Sequence, residues 1–335
     1  MIEPLVTVVI PSHNRPKFLA EALASVLAQD YERFVVLVAD DASNYDVASL
    51  VASFGDPRLT VHRHPRNLGM VRNWRWALAA PTTRYVAILE DDCLWLPHHL
   101  GEAVRALEQH PEAPFYCSAT EVFGDGKSGV LKPHWSTATT IELSDWRDTG
   151  FGVWLQGSPP MACSSVVLRR AALTDLFWGG KTWPWCQDYL WWGQLALKGP
   201  FIYNPAIGAR YRWHASNMTY ASISRRWKKM PEWRFTMRTL AARAYARGGL
   251  RDLAAETRGF GPGVLSAVVV SLAARDSPRG LARQARAIFE AQRSLARDPE
   301  CSFHYRLAAR VGGWYLAYAD LVARLLARWW PHPAL

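Results

Sequence analysis

The chain has 335 residues, half of them apolar and a fifth charged, so it carries enough apolar matter for a substantial core in one large domain or two smaller ones. Five cysteines, Cys93, Cys117, Cys163, Cys186 and Cys301, are odd in number and scattered, without CxxC or Cys/His metal spacing; this sets aside a disulfide framework and fits reduced thiols in a cytoplasmic protein. The net charge of +10 is uneven: residues 221–335 hold 20 Lys+Arg against 8 Asp+Glu, and the remainder 19 against 21.

The opening "MIEPLVTVVIPSHNR" has no basic leader, and its apolar run, Leu5 to Ile10, is too short for a signal segment. It predicts a strand in an unexported protein. From there strand and helix patterns alternate. β-branched runs at 5–11, 33–41 and 84–92 predict strands, with weaker strands at 58–64 and 114–123. Helical spacing covers 18–29, 47–54, 70–80 and 98–110. This alternation predicts an α/β fold with a mostly parallel sheet covered by helices on both faces, and ligands gather outside the carboxyl ends of such strands. Three predicted strands end there in polar sets: "PSHNR" (11–15), "DDAS" (40–43) and "EDD" (90–92).

The three acids Glu90, Asp91 and Asp92 repel one another unless a cation or water compensates them. One reading is a hard cation, Mg²⁺ or Mn²⁺, which binds through one or two carboxylates plus substrate phosphates. The other is that an acid caps the helix beginning near Pro97. No GxxxxGK[ST] occurs, and no GxGxxG joins a strand to a helix, so on the first reading a diphosphate is held by metal rather than by a glycine-rich turn.

Further along, "FGDGKSGVLKP" (123–133) reads as a surface loop. Eleven of the 17 tryptophans lie between 135 and 233, several of them in "WGGKTWPWCQDYLWW". Indole faces stack on sugar rings, and Trp183 and Trp185, in a Pro/Gly-rich stretch, are the candidates for contact with a saccharide, whereas Trp191 or Trp192 at helical spacing reads as packing. The basic segment has no apolar run near the roughly 20 residues that span a bilayer. In its last helical stretch Arg306, Arg310, Arg324 and Arg328 share one face. An anionic membrane surface and a bundle packed on the catalytic domain with a solvated Arg face are both open as partners for it. No nucleic-acid-binding motif accompanies the charge, so nucleic acid is not expected as a partner.

Taken together, "VTVVIPSHNRPKFLAEALASVLAQDYERFVVLVADDAS", "NLGMVRNWRWAL" and "YVAILEDDCLWLP" resemble the nucleotide-binding half of family 2 glycosyltransferases with the GT-A fold. The likeness runs from about residue 5 to 125 and continues more loosely through "CSSVVLRRAAL", "CQDYLWWGQLALKG" and "YRWHASN". It implies a nucleotide-sugar-binding half (1–125), an acceptor-binding half (126–222) and a basic helical extension (223–335). It also implies a nucleotide-diphosphate sugar donor and a saccharide or lipid-linked acceptor. By position, Pro11 and His13 lie at the nucleotide, with His13 against its base; Asp41 meets the base edge and Asp91 the ribose. Asp92 corresponds to the metal ligand and His214 to a residue that completes the metal or diphosphate site. Asp188 corresponds to the acid that deprotonates the acceptor hydroxyl, although Gln187 stands where the family usually has a second acid. Glu90 stands where the family commonly has Asp and receives no role. Without the family, Asp188 also reads as a helix N-cap and His214 as a hydrogen-bonded core residue.

The chemistry such a site implies is inverting transfer of a sugar, with the metal neutralising the leaving diphosphate and a base on the opposite face of the ring. The expected protein is a metal-dependent glycosyltransferase of polysaccharide or glycolipid synthesis, cytoplasmic or peripheral at the inner face of the membrane. Two alternatives share part of the pattern. A sugar-nucleotide nucleotidyltransferase is expected to show a glycine-rich basic loop after the first strand, where "PSHNRP" has no glycine; a non-catalytic carbohydrate-binding relative would lack the intact "EDD".

Overall fold

A computed structural model describes residues 3–132, 141–144, 161–174 and 198–217, together with Leu176, Asp188, Trp191, Trp192 and Leu195. The first half follows the predicted alternation: β1 (Val6–Ser12), α1 (Pro16–Leu27), β2 (Phe34–Asp40), α2 (Val47–Ala52), β3 (Leu59–Arg63), α3 (Met70–Ala79) and β4 (Tyr85–Ile88). There follow β5 (Leu94–Trp95), α4 (His99–Gln109), β6 (Phe115–Phe123), β7 (Gly129–Leu131), β8 (Glu142–Ser144), β9 (Val166–Arg169) and β10 (Phe201–Arg212). Every residue of β1 and β4 is buried, as expected of strands covered on both faces, and this accounts for their unbroken apolar runs.

The helices follow equally local rules. Pro16 stands in the first turn of α1, where a missing N–H costs nothing, so the helix begins two residues before the predicted start; it buries Leu19, Ala22, Leu23 and Val26 at helical spacing. Asp46 caps α2 by accepting from the Ser49 N–H at 3.0 Å. In α4, Leu100, Ala103, Val104 and Leu107 are buried; its N-cap is His98, without a side-chain cap bond. None of the three acids at 90–92 therefore caps this helix.

The sheet runs β3-β2-β1-β4-β9-β6-β10-β5, with β7 on β6 and β8 on β10. β3, β2, β1 and β4 are parallel neighbours, and Ser12 stands opposite Asp40 at the carboxyl ends of β1 and β2. Chain order reverses at β1, which places a crevice between the ends of β1 and β4. Beyond β4 the sheet is mixed. β9 is antiparallel to both β4 and β6, and β6 pairs in parallel with β10. The β6–β10 register shifts between Asn204 and Ile207, spanning Pro205, and again before Ala209. Proline donates no ladder bond and is confined to such irregularities. Past the bulge, Ala209 and Arg210 pair with β5, which carries the end of β10 alongside the acidic turn that precedes β5.

The stretch read as a loop at 123–133 is partly a hairpin, because β7 returns antiparallel along the end of β6. Its turn has Gly124 and Gly126 at positive φ, and a Cβ on Gly124 would lie 2.5 Å from the Trp213 carbonyl oxygen. Trp191, Trp192 and Leu195 are helical, in keeping with the helical spacing of "YLWWGQLAL" (189–197), and so is Asp188 just before it; Trp191 and Trp192 are fully buried against Trp74 and Phe115. Trp191 and Trp192 are packing residues, as their spacing predicts.

Candidate active site

The loops after β1 and β2 meet at the carboxyl edge. Asn14 adopts a left-handed conformation, φ 57°, which its short polar side chain tolerates. Its N–H donates to Ser43 Oγ at 2.9 Å, and its Oδ1 accepts from the Asn44 N–H at 2.7 Å. Asp41 is buried, and its two oxygens accept from the N–H groups of Leu68 (2.6 Å) and Gly69 (3.0 Å), fixing the turn before α3. Asn67 Nδ2 reaches His13 Nε2 at 3.2 Å, so the exposed His13 ring stands against that turn. Pro11 lies buried in β1 beneath them. Pro11, His13 and Asp41 thus line one side of the crevice, and the part played by Leu68 and Gly69 was not visible from spacing.

The acidic turn forms the other side. Ser12 Oγ donates to Asp91 Oδ2 at 2.8 Å across the crevice. Arg15 Nη1 donates to Asp91 Oδ1 at 2.9 Å and to Asp92 Oδ2 at 2.6 Å, and Arg15 Nη2 to the Ser216 carbonyl at 3.3 Å. His214 Nε2 lies 3.1 Å from Asp92 Oδ2, and its Nδ1 lies 2.8 Å from Ser216 Oγ. The backbone around it is held by the Arg212 Nε–H bond to the Asp92 carbonyl at 3.0 Å and by an Arg212 ion pair with Glu21. Residues 92 and 214 therefore come together although 122 positions separate them.

Glu90 faces the other way. Ser164 Oγ accepts from the Glu90 N–H at 3.0 Å and donates to Glu90 Oε2 at 3.1 Å. Burial, then the charges of Asp92 and Asp188, push the Glu90 carboxyl up to about 8. Since its charge also acts on the buried Cys163, Asp188 sits beside this turn. Burial likewise lifts Asp91, to about 6, against the pull of Arg15. Burial alone would raise Asp92 too; its His214 hydrogen bond and Arg15 outweigh it and hold the carboxyl below the ordinary range. One site thus contains a carboxylate held ionised and a carboxyl held protonated at neutral pH.

Asp91, Asp92 and His214 converge, and Asp188 adjoins them through Glu90. Asp188 is helical, whereas an N-cap has non-helical backbone angles, so the capping reading is not met. Trp183, Trp185, Gln187 and the basic segment from 223 lie outside the described residues. Spacing also gave no role to Ser12, Arg15 or Ser164; Ser12 and Arg15 sat in the polar set after the first strand, and Ser164 in "CSSVVL" had no signal of its own.

Among the described residues no three His, Cys, Asp or Glu side chains form a protein-only metal cage. Asp92 and His214 offer one carboxylate and one imidazole at a common point, a donor set for an ion that takes its other ligands from phosphate and water. Also among the described residues, no helix is long and apolar enough to cross a membrane.

The chain is similar to known proteins in sequence and in fold. Residues 7–177 match the model of "Glycosyl transferase family 2". The succinoglycan biosynthesis protein ExoW of Rhizobium meliloti is 37% identical over 119 residues, 34% of this chain and 37% of that protein. The Escherichia coli glucosyltransferase WfaP, which uses UDP-Glc and a GlcNAc-diphosphoundecaprenol, is 22% identical over 64% of this chain and 80% of its own. Residues 1–349 of S. aureus TarS, in complex with UDP, superpose with a TM-score of 0.65 at 16% identity over 96% of this chain and 90% of that one, a likeness of GT-A fold. With a family match over half its length and the crevice described above, this chain belongs to glycosyl transferase family 2.

Proposed function

We propose that the protein is a metal-dependent inverting glycosyltransferase that moves a sugar from a nucleotide-diphosphate donor to a hydroxyl of a saccharide or lipid-linked acceptor. The observation that carries this reading is the convergence of Asp91, Asp92 and His214 at the crevice, with Asp188 beside them. Asp41 has both oxygens on backbone N–H groups, yet a carboxylate has about four acceptor sites, which leaves room for a base N–H. His13 flanks the base and Asp91 meets the ribose. Asp92 and His214 would hold Mg²⁺ or Mn²⁺, which when bound supplies Lewis-acid neutralisation of the leaving diphosphate. Asp188 takes the proton of the acceptor hydroxyl as that oxygen attacks the anomeric carbon from the face opposite the leaving group, which inverts the configuration. Trp183 and Trp185 stack on the acceptor sugar.

The relatives support a place in polysaccharide or glycolipid synthesis, one being named for succinoglycan biosynthesis and another for a lipid-diphosphate acceptor. The 223–335 segment, with the Arg-lined helical face that its spacing predicts at 306–328, would bring the enzyme to an anionic inner membrane surface. A panel of nucleotide sugars hydrolysed with and without Mn²⁺ tests the reading. Release of one nucleoside diphosphate only with metal is expected; no turnover of any donor with any divalent ion would leave a non-catalytic relative as the better description.

A further inference from the structure

Every carboxylate oxygen of the Asp91–Asp92 pair has a protein partner. Asp91 Oδ2 takes Ser12 and Oδ1 takes Arg15; Asp92 Oδ2 takes Arg15 and His214, and Oδ1 takes the Cys93 thiol at 3.4 Å. The two aspartates are nearly fully buried, at 4% and 5% exposure, while the Arg15 side chain is 26% exposed and reaches water. A buried pair of like charges persists only if a cation compensates it, and here that cation is a single guanidinium bridging both. Its anchorage is otherwise one long bond to the Ser216 carbonyl.

A divalent ion bound by Asp92 Oδ2 would sit about 2.1 Å from that oxygen. Arg15 Nη1 already lies 2.6 Å from the same atom. The ion and the guanidinium would then be two cations competing for one oxygen. We propose that Arg15 is a built-in counter-cation of the metal site: it neutralises Asp91 and Asp92 when no ion is bound, and an ion binds Asp92 only as Arg15 leaves. The partial exposure of Arg15 gives it a path out into solvent. The proposal rests on the metal-dependent reading above.

The test is a titration of the full-length protein with Mn²⁺ alone, following free Mn²⁺ by electron paramagnetic resonance, and repeated with UDP and GDP. Arg15→Gln removes the competing charge and should bind Mn²⁺ at least about tenfold more tightly than the wild type, within the usual range of coupling between two sites. Arg15→Lys keeps the charge, but one ammonium lacks the fork that bridges two carboxylates, so its affinity should fall between the two, about threefold above wild type. Should the Gln variant not fold without metal, the Lys variant carries the test by itself. Equal or weaker Mn²⁺ affinity in the folded variants, where the wild type does bind, overturns the role of Arg15 and leaves the metal site standing. Absence of Mn²⁺ binding in wild type and variants alike, even with nucleoside diphosphate, overturns the metal reading and the proposal together.

Discussion

Replacing Glu90 by Gln should stabilise the protein, and should do so only above a definite pH. In the folded state burial and the neighbouring charges of Asp92 and Asp188 raise this carboxyl from the ordinary 4.5 to about 8. The folded protein therefore holds a proton that the unfolded chain releases. Between the two values the folded state binds more protons than the unfolded one, so stability falls as pH rises from about 4.5 and stops falling above about 8. A gap of about 3.5 pH units at 1.36 kcal/mol each gives an upper bound of about 5 kcal/mol; relaxation of the surrounding acids reduces it, and at least about 1.5 kcal/mol should survive. Gln keeps the shape and still accepts from Ser164 Oγ. Thermal unfolding in EDTA, which keeps divalent ions from favouring the ionised form, should show no difference at pH 4.5 and a rise of roughly 3–6 °C in the variant at pH 8.5. Equal effects at both pH values, or a less stable variant at pH 8.5, would refute the reasoning.

Four further outcomes follow from the site. Asp92→Ala should abolish Mn²⁺-dependent binding of nucleoside diphosphate, measured by calorimetry, since it removes the carboxylate proposed to join metal and protein. Asp188→Asn should keep nucleotide and metal binding while sugar transfer in a radiolabel assay drops by at least about 10², because the amide cannot accept the acceptor's proton; full turnover would end that assignment. Asp41→Asn loses one acceptor to the Leu68–Gly69 turn and should weaken nucleotide binding about tenfold with little change in Mn²⁺ affinity, checked by competition titration. A chain ending near residue 300 should lose salt-sensitive binding to anionic liposomes and keep donor hydrolysis; aggregation would instead favour a packed bundle.

The first half of the sheet was legible because β1 and β4 are buried on both faces and the helices beside them are amphipathic, so each element carries its own period. The acidic turn was legible as chemistry, since three adjacent acids at a strand end have few structural uses. The remainder depends on pairings that no local pattern encodes. β5 has two residues, too few to show a period, and β10 is broken by Pro205 and a register shift, yet together they deliver His214 to Asp92. Arg15 lies 76 and 77 positions from its aspartates, and Ser164 lies 74 from Glu90. The hairpin at 129–131 read as a loop because glycines crowd its turn and its strand is exposed throughout.

The mutual bonding of the loops after β1 and β2 with the turn before α3 bears on how readily that side of the crevice would receive a ligand. Asn14, Ser43, Asn44, Asp41, Leu68 and Gly69 are tied together by the chain's own hydrogen bonds, so the backbone order that a nucleotide would otherwise have to impose is supplied by the fold. A rigid receptor of this kind captures its ligand at ordinary encounter rates and with no refolding delay. The opposite wall of the crevice is held differently: there Arg15 bridges residues 91, 92 and 216 through side-chain bonds that a single rotation can break.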